Sequence, residues 1–169
     1  MNKKTMCGMI KIKKAGLCMV ISFFGHRDFC ESDAYEKKLL DILEELVGED
    51  VAEFYLGGYG GFDSFAYRCC TKYKKAHPHV KLIYVTPYLS QNDLKEKYER
   101  YDEILYPEIE NVPPKFAILY RNRYIVERSD FVISYIRYQR GGAYQAYSYA
   151  RKKGKRIVEL ETELFPELS

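Results

Sequence analysis

The chain has no tryptophan, no CxxC pair, no internal repeat, no linker-like stretch and almost no charge imbalance. Each absence closes a route. A formal net charge of +3, from 27 Lys and Arg against 24 Asp and Glu, is too small to argue for nucleic acid by itself. The five cysteines (Cys7, Cys18, Cys30, Cys69, Cys70) are odd in number and lack metal spacing. Cys69 and Cys70 adjoin in a helix-like segment and read as small buried apolar residues rather than a bridge. His77-Pro78-His79 is the one paired-ligand pattern, and no further ligands surround it. It reads as a polar loop, and no metal or cofactor is expected. With no tryptophan, the aromatic share falls to 17 Tyr and 9 Phe, rings that pack with a polar tip or stack on bases.

What is present suits one globular domain. The 169 residues are 47% apolar and 30% charged, enough for a sizeable core and too apolar for disorder. Lys3, Lys4, Lys11, Lys13 and Lys14 precede the apolar run 15–24, a loose likeness to a secretory signal. That run is short, lacks a small-residue cleavage site and ends in Gly25-His26-Arg27-Asp28. The expectation is a cytoplasmic protein without membrane contact. It would have a loose basic leader over residues 1–16 and a domain over 17–165, with Met19 as an alternative start.

Strand and helix alternate from there on. Leu17 to Phe24 is a continuous apolar run, as expected for a strand covered on both faces. Ser32-Asp33 offers a cap with Glu36 closing a capping box from Asp33, and Gly48 ends that helix. Ala52 to Leu56 is a second strand, followed by a helix from Asp63. Lys81 to Thr86 is a third strand, Ser90 to Tyr101 a charged helix, and Ile104 to Tyr106 a short strand. Lys115 to Ser129 reads as a helix, Asp130 to Ile136 as a strand, then a helix from Gly141-Gly142 and a last strand from Arg156 to Leu160. The pattern predicts an α/β, Rossmann-like, doubly wound and mostly parallel sheet in a single domain.

In such sheets ligands bind beyond the carboxyl ends of the strands, near the point where strand order reverses. Three loops there carry unusual chemistry. Gly25-His26-Arg27 follows the first strand, Gly57-Gly58-Tyr59-Gly60-Gly61-Phe62-Asp63 the second, and Gly141-Gly142 the late strand. Four glycines in five positions allow positive φ and close approach to the main chain, and a helix opening after them offers N–H groups to an anion. Arg121-Asn122-Arg123 adds donors, but residues two apart on a helix cannot share one narrow face. One arginine is expected at the ligand and the other at solvent or a partner subunit.

The order of these motifs resembles the Rossmann-like core of the SLOG superfamily, which joins the SMF/DprA and LOG proteins. Gly25-His26-Arg27 is similar to the family's glycine-small-Arg turn, Gly60-Gly61-Phe62-Asp63 to its Gly-hydrophobic-Asp stretch, and Arg121-Asn122-Arg123-Tyr124-Ile125 to its Arg-Asn-Arg element. Gly141-Gly142 through Gly154-Lys155-Arg156-Ile157-Val158 is similar to its late turn, Ala-rich helix and strand. The length looks most like the small stand-alone YpsA-like members. LOG enzymes, which cleave the base from nucleoside 5′-monophosphates, carry PGGxGTxxE after the late strand. Here that place reads Arg140-Gly141-Gly142-Ala143-Tyr144-Gln145, without the Thr or the Glu.

The reading is therefore a binding domain for a nucleotide or nucleotide-derived phosphate, without catalytic residues. Phosphates would sit on Gly57, Gly58, Gly60 and Gly61 and on Gly141-Gly142. Arg27 and an arginine of the Arg121–Arg123 cluster would neutralise charge, with Gly25, His26 and Asn122 alongside and Asp63 accepting from a sugar hydroxyl. The alternative is a nucleotide N-glycosidase using Asp63 as the carboxylate. A third, from the DprA side, is single-stranded DNA binding, which the small net charge counts against. A homodimer is expected from the core, with no surface fixed for it.

Overall fold

The computed structural model describes residues 18–161, except the side chains of Gln91 and Asp93. The leader over 1–16 lies outside the described residues. Six strands, β1 (Met19–Gly25), β2 (Ala52–Leu56), β3 (Val80–Val85), β4 (Glu103–Leu105), β5 (Phe131–Tyr135) and β6 (Arg156–Glu159), form one sheet in the order β4-β3-β2-β1-β5-β6. Every pairing is parallel. Strand order reverses at β1, which pairs with β2 on one side and β5 on the other.

Period-2 alternation in β1 explains its unbroken apolar run. Ile21 and Phe23 enter one core with α1 (Asp33–Leu46) and α2 (Gly61–Ala76), while Phe24 enters the other with α4 (Ala117–Arg128) and α5 (Gly141–Lys152). Ser22 is the one polar break on the α4 side. Its hydroxyl lies 2.8 Å from that of Ser129 and can donate to it while Ser129 donates to the Ile125 carbonyl, so the burial is compensated. Leu39, Leu43, Phe54 and Phe62 are fully buried, each worth about 1.5–3 kcal/mol against exposure. The remaining helix, α3 (Gln91–Arg100), contributes Leu94 to the first core.

Boundaries moved where local chemistry differs from the pattern. Ser32, not Asp33, caps α1 by accepting from the Tyr35 N–H at 3.3 Å, and Glu36 pairs with Lys72 of α2 instead of closing a box. The second helix opens at Gly61, two residues before Asp63, because Gly60 with φ 92 already turns the chain. The fourth helix begins with a tight 3-10 turn at Pro114–Phe116 before α4, as Pro114 presets its start. The short strand is β4, one residue earlier than Ile104. No helix among the described residues is long and apolar enough to cross a membrane.

Candidate functional site

The carboxyl ends of β1, β2 and β5 open into a cleft of about 310 Å³, at the small end for ligand sites. It lies where the strand order reverses, as the topology requires. Of the thirteen residues expected at the site, nine line it: Gly25, His26, Arg27, Gly57, Asp63, Arg121, Asn122, Gly141 and Gly142. Gly58, Gly60, Gly61 and Arg123 do not. Phe23, Phe24, Tyr59, Ile118, Tyr138, Arg140 and Ala143 line it without having been singled out by sequence. Three arginines face one carboxylate there, so the lining favours an anion.

The glycine turn after β2 is occupied by the protein itself. Gly58 has φ +74, and a Cβ there would stand 2.7 Å from the Tyr84 ring. At Gly60 a Cβ would press on Arg27, and at Gly61 it would stand 2.7 Å from the Arg27 carbonyl oxygen. The Gly61 N–H already donates to that oxygen at 2.8 Å. The Tyr59 N–H donates to Asp63 Oδ2 at 2.7 Å. Asp63, third residue of α2, thus closes its own turn, and two donors expected for phosphate are committed internally. Burial pushes the Asp63 carboxyl up to about 6 despite that hydrogen bond and nearby Arg121, placing it where it can exchange a proton near neutral pH.

Arg121 settles which arginine turns inward. It sits on the buried stripe of α4 with Ala117 and Ile125 and is 2% exposed. Its Nη1 donates to the carbonyls of Gly57 (2.9 Å) and Val85 (2.8 Å), joining the ends of β2 and β3. Burial lowers its pKa and Asp63 opposes the fall. Its Nε has no hydrogen-bond partner among the described residues. Arg123 points away, lying over the rings of Tyr120 and Tyr149 between α4 and α5. Arg27 is exposed, and its side chain makes no ion pair with a described residue.

His26 is built in rather than free. Its Nε2 accepts from the Tyr138 N–H at 3.3 Å, which requires the neutral ring with the proton on Nδ1. The ring lies flat on Tyr138, centroids 3.6 Å apart, and the Tyr138 hydroxyl donates to Asp28 at 2.8 Å. Burial pulls the His26 pKa down against Asp28, with Arg140 adding to the fall. No signal in the 137–140 loop marked Tyr138 for this role, because its partner is 112 residues away.

The opening of α5 is the reverse of the α2 turn. Among the described residues a Cβ at Gly141 or Gly142 would meet nothing within 4 Å, and Arg140 at the cap position makes no side-chain cap hydrogen bond. The first turn of α5, whose N–H groups have no partner within the helix, thus begins at the cleft without a side-chain cap among the described residues. Elsewhere, His77 Nε2 lies 3.0 Å from Glu44 and the ring stacks on Tyr73, and no cluster of potential metal ligands occurs among the described residues.

No family model matches the chain. It is 31% identical over 135 residues to the SPbeta prophage-derived protein YoqJ of Bacillus subtilis, covering 68% of this chain and 79% of that protein. A UPF0398 protein of Halalkalibacterium halodurans is 26% identical over 132 residues, covering 71% of this chain and 66% of that one. Among solved structures, DNA processing protein A (DprA) of Streptococcus pneumoniae superposes with TM-score 0.60 at 20% identity, over 84% of this chain and 50% of that one. DprA of Helicobacter pylori, described for its single-stranded DNA binding mode, gives 0.58 at 23% identity over 83% and 64%. The chain thus spans about half to two thirds of the DprA chains, and this likeness is one of fold.

Proposed function

Because the chain belongs to the family of YoqJ and is a small SLOG-type protein with the DprA-like Rossmann core, we propose that its cleft binds a nucleotide or nucleotide-derived phosphate. The observation that carries this reading is the uncapped, unobstructed start of α5 beside the buried Arg121 with its unbonded Nε. A phosphate accepts from the first-turn N–H groups and gains from the positive helix end. Arg27 closes over it from the β1 turn. Asp63 spends one oxygen on Tyr59, so its other oxygen accepts from a sugar hydroxyl.

The test is a panel of nucleoside mono-, di- and triphosphates read by melting temperature. At least one raises the midpoint by several degrees, and Arg27→Ala weakens that ligand about tenfold while the apo midpoint stays put. A folded protein with no shift across the panel ends the proposal. Binding without turnover is the expected outcome. Release of free base from AMP, abolished by Asp63→Asn, would replace binding with N-glycosidic cleavage.

One observation favours a second reading, single-stranded DNA. Six of the eight exposed large apolar side chains among the described residues (Tyr59, Tyr88, Leu89, Phe116, Ile118 and Tyr120) stand on loops and a helix start at the carboxyl end of the sheet. Lys115 and Arg123 lie over the rings of Phe116 and Tyr120. Rings and cations in alternation suit stacked bases and a phosphate backbone. The small net charge does not oppose this, since these groups act locally. Affinity for oligo(dT) that rises with length and drops steeply with salt would establish it; nucleotide binding with no oligomer affinity would remove it.

A further inference from the structure

We infer that Tyr59 is the stacking platform for the flat ring of the ligand and the residue that separates nucleotides from sugar phosphates. The inference rests on the nucleotide reading of the same cleft. Besides the His26 imidazole, four aromatic rings line that cleft. Phe23 and Phe24 are buried, 2% and 7% exposed, as parts of the two cores. Tyr138 already has His26 flat against it, and Arg140 sits over its ring at 5.0 Å. Of these four, Tyr59 alone belongs to neither core and stacks on no ring among the described residues. It is 40% exposed.

Its other face is backed by charge. The Arg121 guanidinium lies 5.4 Å from the Tyr59 ring centre and is held by two carbonyls. A ring polarised from behind by a fixed cation favours an electron-rich, planar heteroaromatic in front. The arrangement repeats the finished stack of His26, Tyr138 and Arg140 across the cleft with its third layer left for the ligand. The platform is also steady: Asp63 pins the Tyr59 N–H at 2.7 Å, between glycines at φ +74 and +92 that set the turn. Tyr59 and the α5 start also line the same small cleft, so one ligand there borders both.

The experiment compares AMP, GMP, CMP and UMP with ribose 5-phosphate by calorimetry on wild type, Tyr59→Leu and Tyr59→Trp, each checked for folding by circular dichroism. Wild type should prefer its best nucleotide to ribose 5-phosphate by about tenfold or more, the range of one base stack. Tyr59→Leu should bring that ratio close to one while leaving ribose 5-phosphate affinity unchanged, and Tyr59→Trp should keep or raise it. The introduced indole would be the chain's sole tryptophan, so its emission should quench on nucleotide and not on ribose 5-phosphate. A nucleotide preference that survives in Tyr59→Leu overturns this inference and leaves the nucleotide reading standing. Failure of these four, and of the corresponding di- and triphosphates, to bind folded wild type overturns both.

Discussion

Two helices open beside the cleft after glycine-rich turns, and their glycines serve opposite ends. At α2 the glycines let the protein touch itself: Gly58 against Tyr84, Gly60 against Arg27, Gly61 against the Arg27 and Phe29 carbonyls. At α5 no described residue comes within 4 Å of the added Cβ at Gly141 or Gly142. The first turn is a joint that locks β1 to β2; the second is an opening. Glycine density alone therefore does not mark a ligand seat. What separates the two turns is whether the protein itself fills the space that the missing side chains leave.

The largest effect expected from this contrast is at the joint. Gly61→Ala sets a methyl 2.7 Å from a backbone oxygen that cannot rotate away. The β1 turn must move, weakening the Gly61 to Arg27 hydrogen bond with it. A loss of about 3 kcal/mol is expected in urea unfolding. Gly142→Ala, the same change at the opening, should leave stability within about 0.5 kcal/mol. Equal losses at both positions would erase the distinction.

A charge at the opening sharpens the comparison by moving stability and binding in opposite directions. Gly142→Asp places a carboxylate in the first turn of α5, which should stabilise the helix by about 0.5 kcal/mol. The same carboxylate repels a phosphate and competes for its N–H donors, so nucleotide affinity should fall about thirtyfold or more. Urea midpoint and calorimetric affinity on one preparation check both signs. A drop in affinity accompanied by a drop in stability would mean only a damaged helix.

Most of the fold could be read ahead of the structure, because burial on both faces leaves an unmistakable apolar run in β1, β2, β3 and β5. The site was partly legible for the same topological reason: three loops had to meet where strand order reverses. The choice between Arg121 and Arg123 was not, since spacing says only that they diverge; the inward stripe through Ala117, Arg121 and Ile125 decides it. Nor could sequence separate the two kinds of glycine turn, as a glycine required by Tyr84 or by the Arg27 carbonyl reads the same as one facing a ligand. Tyr59 meets Arg121 and Tyr138 meets His26, partners far along the chain, and no local pattern records that.

A pH effect inside the α2 joint separates its pinning carboxylate from the rest of the turn. Burial raises the folded Asp63 pKa from 3.8 to about 6, so between these values the folded state holds more proton than the unfolded one. Stability from this group is therefore greatest below about pH 4 and declines as pH rises to about 6, after which it is level. Other carboxylates whose folded pKa is depressed, Asp102 among them, run the opposite way, so the wild-type curve alone mixes the signs. Asp63→Asn keeps an acceptor for the Tyr59 N–H and removes the titration. The urea-midpoint difference, wild type minus Asp63→Asn, should fall from pH 4 to pH 6 and flatten above. A difference that rises across that window would mean that Arg121 holds Asp63 as a favourable ion pair instead, and that the joint depends on charge rather than on the hydrogen bond to Tyr59.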